Sequence, residues 1–124
     1  MVPTAAELAQ YYNCKVDGSF VLLTLCSGIS KIDESIIESI FNELHPVIVH
    51  AEIKAVIFNL GQVDYLSSLG LSLIVRIHKA VKGHNGKVVL AQPNANIKEL
   101  IHVTSLDSIW KIFPSVDEAK IALA

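Results

Sequence analysis

At 124 residues the chain has the length of one domain, enough to bury a core without disulfides or a structural metal. Hydrophobic residues make up 52% and charged residues 18%, which excludes disorder outside the termini, and a formal charge of −2 supplies no basic field for nucleic acid or an anionic membrane. The longest apolar runs, such as Phe20-Val21-Leu22-Leu23, fall far short of the roughly 20 residues that span a bilayer. The opening MVPTAAELAQ lacks the basic start and apolar core of a signal peptide, so a cytoplasmic protein without membrane insertion is expected. Cys14 and Cys26 are too few for a disulfide framework and read as buried, reduced thiols in predicted strands.

In chain order, Thr4 and Glu7 have capping-box spacing for a short opening helix to Gln10. Strands over Tyr11 to Val16 and Ser19 to Cys26 flank Asp17-Gly18, a pair suited to a tight antiparallel hairpin. Ser27 to Ser30 forms a turn, and Asp33 caps a helix whose apolar positions Ile36, Ile37, Ile40, Phe41 and Leu44 recur at helical spacing. Pro46 is expected to break that helix or to restart it, with Val47 to Ala51 as a short continuation.

Ala55 to Leu60 is the kind of apolar run that is covered on both faces of a parallel sheet, and Gly61-Gln62 ends it. Val63 to Leu66 then leads to Ser67, an N-cap for a helix from Ser68 to about Lys82. Gly70, Leu71, Ile74, Ile77, His78 and Val81 fall on its apolar face, Ser72, Arg76, Lys79 and Lys82 on the other, and Gly83 is the C-cap. A strand over Lys87 to Ala91, a helix over Ala95 to Val103, a short strand over Ile109 to Ile112 and a helix from Ser115 to Leu123 complete the chain. The implied fold is α/β: a mixed sheet of four to five strands opened by an antiparallel hairpin, with about four helices packed on it, in a single domain over 1–124.

The strand-to-helix junction at Ser67 and Ser68 is the candidate functional site. A helix start offers exposed N–H groups and the positive end of the helix dipole, which tolerate a phosphate on a serine there. Other constellations lead to bland readings. His45, His50, His78, His84 and His102 lack metal-site spacing, and His78 reads as a hydrogen-bonded core histidine. The Gly-His-Asn-Gly run at 83–86 follows a helix and precedes a strand, the reverse of a phosphate loop. Ser68 lacks the flanking glycines of a nucleophile elbow, so no enzyme and no cofactor is expected. Trp110 reads as core, and Tyr65, beside the junction, as core or partner-facing.

Ile57-Phe58-Asn59-Leu60 followed by Val63-Asp64-Tyr65-Leu66-Ser67-Ser68-Leu69-Gly70-Leu71 resembles the signature of the STAS domain, the module of anti-sigma factor antagonists and of sulfate-transporter tails. GHNGKVVL, LIHVTSL and SVDEA extend the resemblance over Tyr11 to Leu123. It implies an anti-sigma factor antagonist that binds a kinase-type anti-sigma factor and releases a sigma factor. It further implies that the serine kinase modifies Ser68, with Ser67 as the alternative acceptor, and that a PP2C-type phosphatase resets the switch. Asp64, Tyr65, Ser67, Ser68, Leu69, Ser72 and Arg76 are then the partner-binding residues.

Three residues depart from the family pattern. Ser67 stands where the family has Asp, Leu69 where it has a second Ser or Thr, and Asn59 where it often has Asp. Leu69 is either an exposed contact for an apolar partner or tucked under the preceding loop. The departures also fit a second reading, a STAS module without phosphorylation that acts as a scaffold or as a subunit of a lipid or anion transport system.

Overall fold

A computed structural model describes residues 4–123. Met1 to Pro3 and Ala124, the ends of the expected 1–124 domain, lie outside the described residues. The strands β1 (Tyr12–Asp17) and β2 (Phe20–Leu25) run antiparallel, with Tyr12 opposite Leu25 and Asp17 opposite Phe20. The turn between them is therefore Gly18-Ser19, one residue later than expected. Gly18 takes the left-handed conformation at φ +62°, and Asp17 stays in the ladder.

Before the hairpin, Thr4 and Glu7 make the reciprocal bonds of a capping box on α1 (Ala5–Leu8), which brings the α-helices among the described residues to five. After it, a 3-10 turn over Ser27–Lys31 leads to α2 (Glu34–Ile48), capped by Asp33, whose carboxylate accepts from the Ile36 N–H at 2.9 Å. Pro46 neither breaks nor restarts α2, contrary to expectation. It lies in the last turn, where its missing N–H deprives only the carbonyl of exposed Asn42, a group that water can reach.

The central strand β3 (Ala55–Asn59) pairs in parallel with β2 and with β4 (Lys87–Ala91), and β5 (Lys111–Phe113) completes the order β1-β2-β3-β4-β5. The connecting helices are α3 (Ser68–Lys82) and α4 (Ala95–Val103), with α5 (Val116–Leu123) last. The final strand starts two residues later than Ile109. The Trp110 N–H is engaged by the Leu106 carbonyl at 3.0 Å in the preceding turn, so its indole drops into the core while Ile109 stays 54% exposed.

Val21, Leu23 and Leu25 of β2, Val56 and Phe58 of β3, and Val88 and Leu90 of β4 form the main core with the buried residues of α2, α3 and α4. On the opposite face Ile57, Val89 and Ala91 meet Ala119 of α5. The strand β3 is thus covered on both sides, as its unbroken apolar run requires. In α3 the buried stripe is Gly70, Leu73, Ile74, Ile77 and Val81. The buried stripe keeps most of the expected face but is displaced toward Leu73, which joins it, while Leu71 and His78 lie on its half-buried flank. Both cysteines are free and half-buried, and Cys26 follows β2 rather than lying in it.

Candidate functional site

The junction lies where β3 leaves the sheet. Asn59 Oδ1 accepts from the Gly61 N–H at 3.0 Å, which turns the chain directly after the strand. An amide oxygen does this as well as a carboxylate oxygen, so Asn serves the turn without a charge. A Cβ on Gly61 would lie 3.2 Å from that same oxygen, which is why a side chain fits poorly there. Beyond the turn, Val63 and Leu66 are buried and pin the loop to the core, leaving Asp64 exposed and Tyr65 64% exposed on the outside.

At the head of α3 the two serines differ. Ser67 is half-buried and its Oγ accepts from the Gly70 N–H at 3.1 Å, the N-cap geometry the sequence predicts. Ser68 is exposed at the first helical position, and its hydroxyl makes no hydrogen bond among the described residues. No acidic residue occupies the first turn of α3, so that turn sets no carboxylate against the positive end of the helix dipole.

The remaining expected contact residues are placed unequally. Leu69 is half-buried and packed on the main core, so it is tucked rather than fully presented. The Ser72 hydroxyl donates back to the Leu69 carbonyl at 2.8 Å. Arg76 turns away from the junction toward α2, where Nη1 donates to Glu38 Oε1 at 2.8 Å and the guanidinium lies 4.2 Å from the centre of the Phe41 ring. Its charge is thereby engaged inside the molecule.

Asn94, between β4 and α4, also takes part in the site. Its Oδ1 caps α4 through the Ile97 N–H, and its Nδ2 donates to the Asp64 carbonyl at 2.9 Å. An open cavity of about 620 Å³ lies between the junction and α4, lined by Tyr65, Leu66, Ser68, Leu71, Leu100 and Thr104 among others. The contact joins Asn94 to a carbonyl 30 residues earlier in the chain, and no local pattern signals it.

Elsewhere, three titratable side chains are shifted by their immediate surroundings. His78 is half-buried rather than fully in the core. Its Nδ1 accepts from Trp110 Nε1 at 3.0 Å, and burial, with the nearby charge of Lys82, holds its pKa below the ordinary imidazole value. His102 pairs with Asp107 at 2.9 Å, and that hydrogen bond raises its pKa. Burial and a hydrogen bond to Glu43 push the Tyr12 phenol well above its usual range.

Residues 11–119 match the model of the STAS domain. A protein of Thermotoga neapolitana named as a candidate anti-sigma factor antagonist is 35% identical over 60 residues, 48% of this chain; the match spans only 53% of that relative's length. BtrV of Bordetella bronchiseptica, likewise named as a candidate anti-sigma factor antagonist, is 26% identical over 87% of this chain and 89% of its own. The phosphorylated form of SpoIIAA, a Bacillus cell fate determinant, superimposes with a TM-score of 0.71 over 91% of this chain and 99% of that one, at 16% identity, a likeness of fold. With the motif at the β3–α3 junction, the five-stranded sheet opened by a hairpin and the family match over residues 11–119, the chain belongs to the STAS domain family.

Proposed function

We propose that this protein is a cytoplasmic anti-sigma factor antagonist that binds a kinase-type anti-sigma factor through the β3–α3 junction and is switched off by phosphorylation of Ser68. The reading rests on the contrast between the two serines. Ser67 Oγ is occupied as the helix cap, whereas Ser68 Oγ is exposed and unengaged among the described residues, which favours Ser68 over Ser67 as acceptor. The names of the relatives, and the existence of SpoIIAA, an anti-sigma factor antagonist, in unphosphorylated and phosphorylated forms, support the same direction.

The electrostatics are consistent with a switch. A phosphoserine brings about −1.5 to −2 charges. In the free protein they sit at a solvated helix N-terminus and are tolerated, whereas inside a desolvated interface they lack partners. Modification therefore ends the complex without unfolding the domain, and a PP2C-type phosphatase restores it. Asp64, Tyr65, Ser68 and Ser72 are the exposed members of the contact surface, with half-buried Ser67 and Leu69 behind them. Arg76 supports that surface by tying α3 to α2.

Incubation with the cognate kinase-type anti-sigma factor and ATP, followed by phosphopeptide mass spectrometry, tests the proposal. Modification at Ser68 is expected, and Ser68→Asp is expected to weaken partner binding at least tenfold. Absence of phosphate from both Ser68 and Ser67, with Ser68→Asp binding unchanged, sinks it in favour of a constitutive scaffold or transport subunit, the reading that the departures Asn59, Ser67 and Leu69 favour.

A further inference from the structure

We propose that a cleft at the free corner of β4 binds a small amphiphilic anion, a carboxylate carried on an apolar body. The strand β5 begins opposite Val89, so Lys87 and Val88 extend past its end with no β5 residue opposite them. The C-terminal half of α3 closes the gap from one face with His78 and Lys82, and β5 and α5 close it from the other with Lys111, Phe113 and Leu123. The cleft has a volume of about 310 Å³, within the range of small-molecule sites. It lies at the far end of α3 from Ser68, roughly 20 Å along the helix.

Its polar lining is one-sided. Three of the ten Lys and Arg residues of a chain that carries twelve acidic ones converge here, and no Asp or Glu lines the cleft. None of the three lysines belongs to an ion pair among the described residues. His78 adds to the asymmetry, because its Nδ1 already accepts from Trp110; the neutral ring must carry its hydrogen on Nε2 and so offers a donor. Every ionisable side chain in the lining is therefore a donor that lacks an acceptor, and an anion supplies one.

The rest of the lining is apolar. Val88, Val89, Phe113 and Leu123 form the walls, and exposed Ile109 extends the apolar rim. A bare inorganic oxyanion would leave those walls in water, whereas a carboxylate on a hydrocarbon body covers walls and charges together.

Octanoate is the probe, added to the full chain while the fluorescence of Trp110, the single tryptophan, and the amide NMR shifts of residues 87–89 are followed. Octan-1-ol and inorganic phosphate are the separate arms. Saturable binding of octanoate is expected, weakened by added salt. It should be about tenfold weaker in a Lys87→Gln/Lys111→Gln variant whose circular dichroism and melting match the parent, and kept in Lys87→Arg/Lys111→Arg. No saturable response to octanoate, an equal response to octan-1-ol, tighter binding of phosphate, or unchanged affinity in the Gln variant overturns the proposal. The lysines then act only as charges that guard an open strand edge against pairing.

Discussion

Asn94 fastens the junction loop to the helix that follows β4: one side-chain amide donates to the Asp64 carbonyl at 2.9 Å and caps α4 through its oxygen at the same distance. The two functions are separable by chemistry. Asn94→Asp keeps the capping oxygen and loses the donor, whereas Asn94→Ala loses both. Asn94→Ala is expected to lower stability by about 1–2 kcal/mol, and Asn94→Asp by less. Both should speed amide hydrogen exchange over residues 63–67, measured by NMR. Protection there equal to the parent in Asn94→Asp would mean that Val63 and Leu66 alone hold the loop.

The two adjacent serines should separate in stability as they do in geometry. Ser67→Ala removes the cap of α3 and is expected to cost about 1 kcal/mol in urea denaturation. Ser68→Ala removes an exposed hydroxyl and should stay within about 0.5 kcal/mol of the parent.

Arg76 links α3 to α2 through Glu38 and the Phe41 ring. The guanidinium side chain is 37% exposed and its carboxylate partner 59%, so screening keeps the ion pair weak. A double-mutant cycle over Arg76→Ala and Glu38→Ala should give a coupling of about 0.2–1 kcal/mol. Arg76→Ala alone is expected to cost more than Glu38→Ala, because it also loses the ring contact.

Gly86 should not tolerate a side chain. A Cβ there would lie 2.5 Å from Val81 Cγ1 and 3.2 Å from the Val81 carbonyl, and Val81 is in the core. Gly86→Ala is expected to destabilise by about 1–3 kcal/mol through overpacking, read from the denaturation midpoint.

His78 makes stability depend on pH. Its folded-state pKa is lowered, first by burial and then by Lys82, so the unfolded chain binds the extra proton more readily. The contribution of the neutral ring is fully present above the unfolded value of about 6.5 and is lost as pH falls through the folded one. Protonation of Nδ1 also breaks the Trp110 bond. A His78→Gln variant should show a flatter decline of stability on acidification. An NMR titration of the His78 ring should give a midpoint below that of His102, whose pKa is raised by Asp107.

Elements with a strong local signal were legible without the fold. The strand over Lys87–Ala91 and the helix over Ala95–Val103 lie where the hydrophobic pattern puts them, and Ser67 caps α3 as read. The misplacements were decided by longer-range effects. Pro46 stays inside a helix because the carbonyl it deprives is exposed, and β5 starts late because Trp110 is drawn into the core.

The sequence by itself determined the element order, the mixed sheet and the pair of serines at a helix start, because periodicity and capping are local properties of neighbouring residues. Tertiary structure alone decided that Arg76 is engaged by Glu38, that Asn94 holds the loop at Asp64, and that three lysines share one cleft. Those relations join residues distant in the chain or depend on what packs beside them. They exist only once the crossovers bring the ends of the strands and helices together.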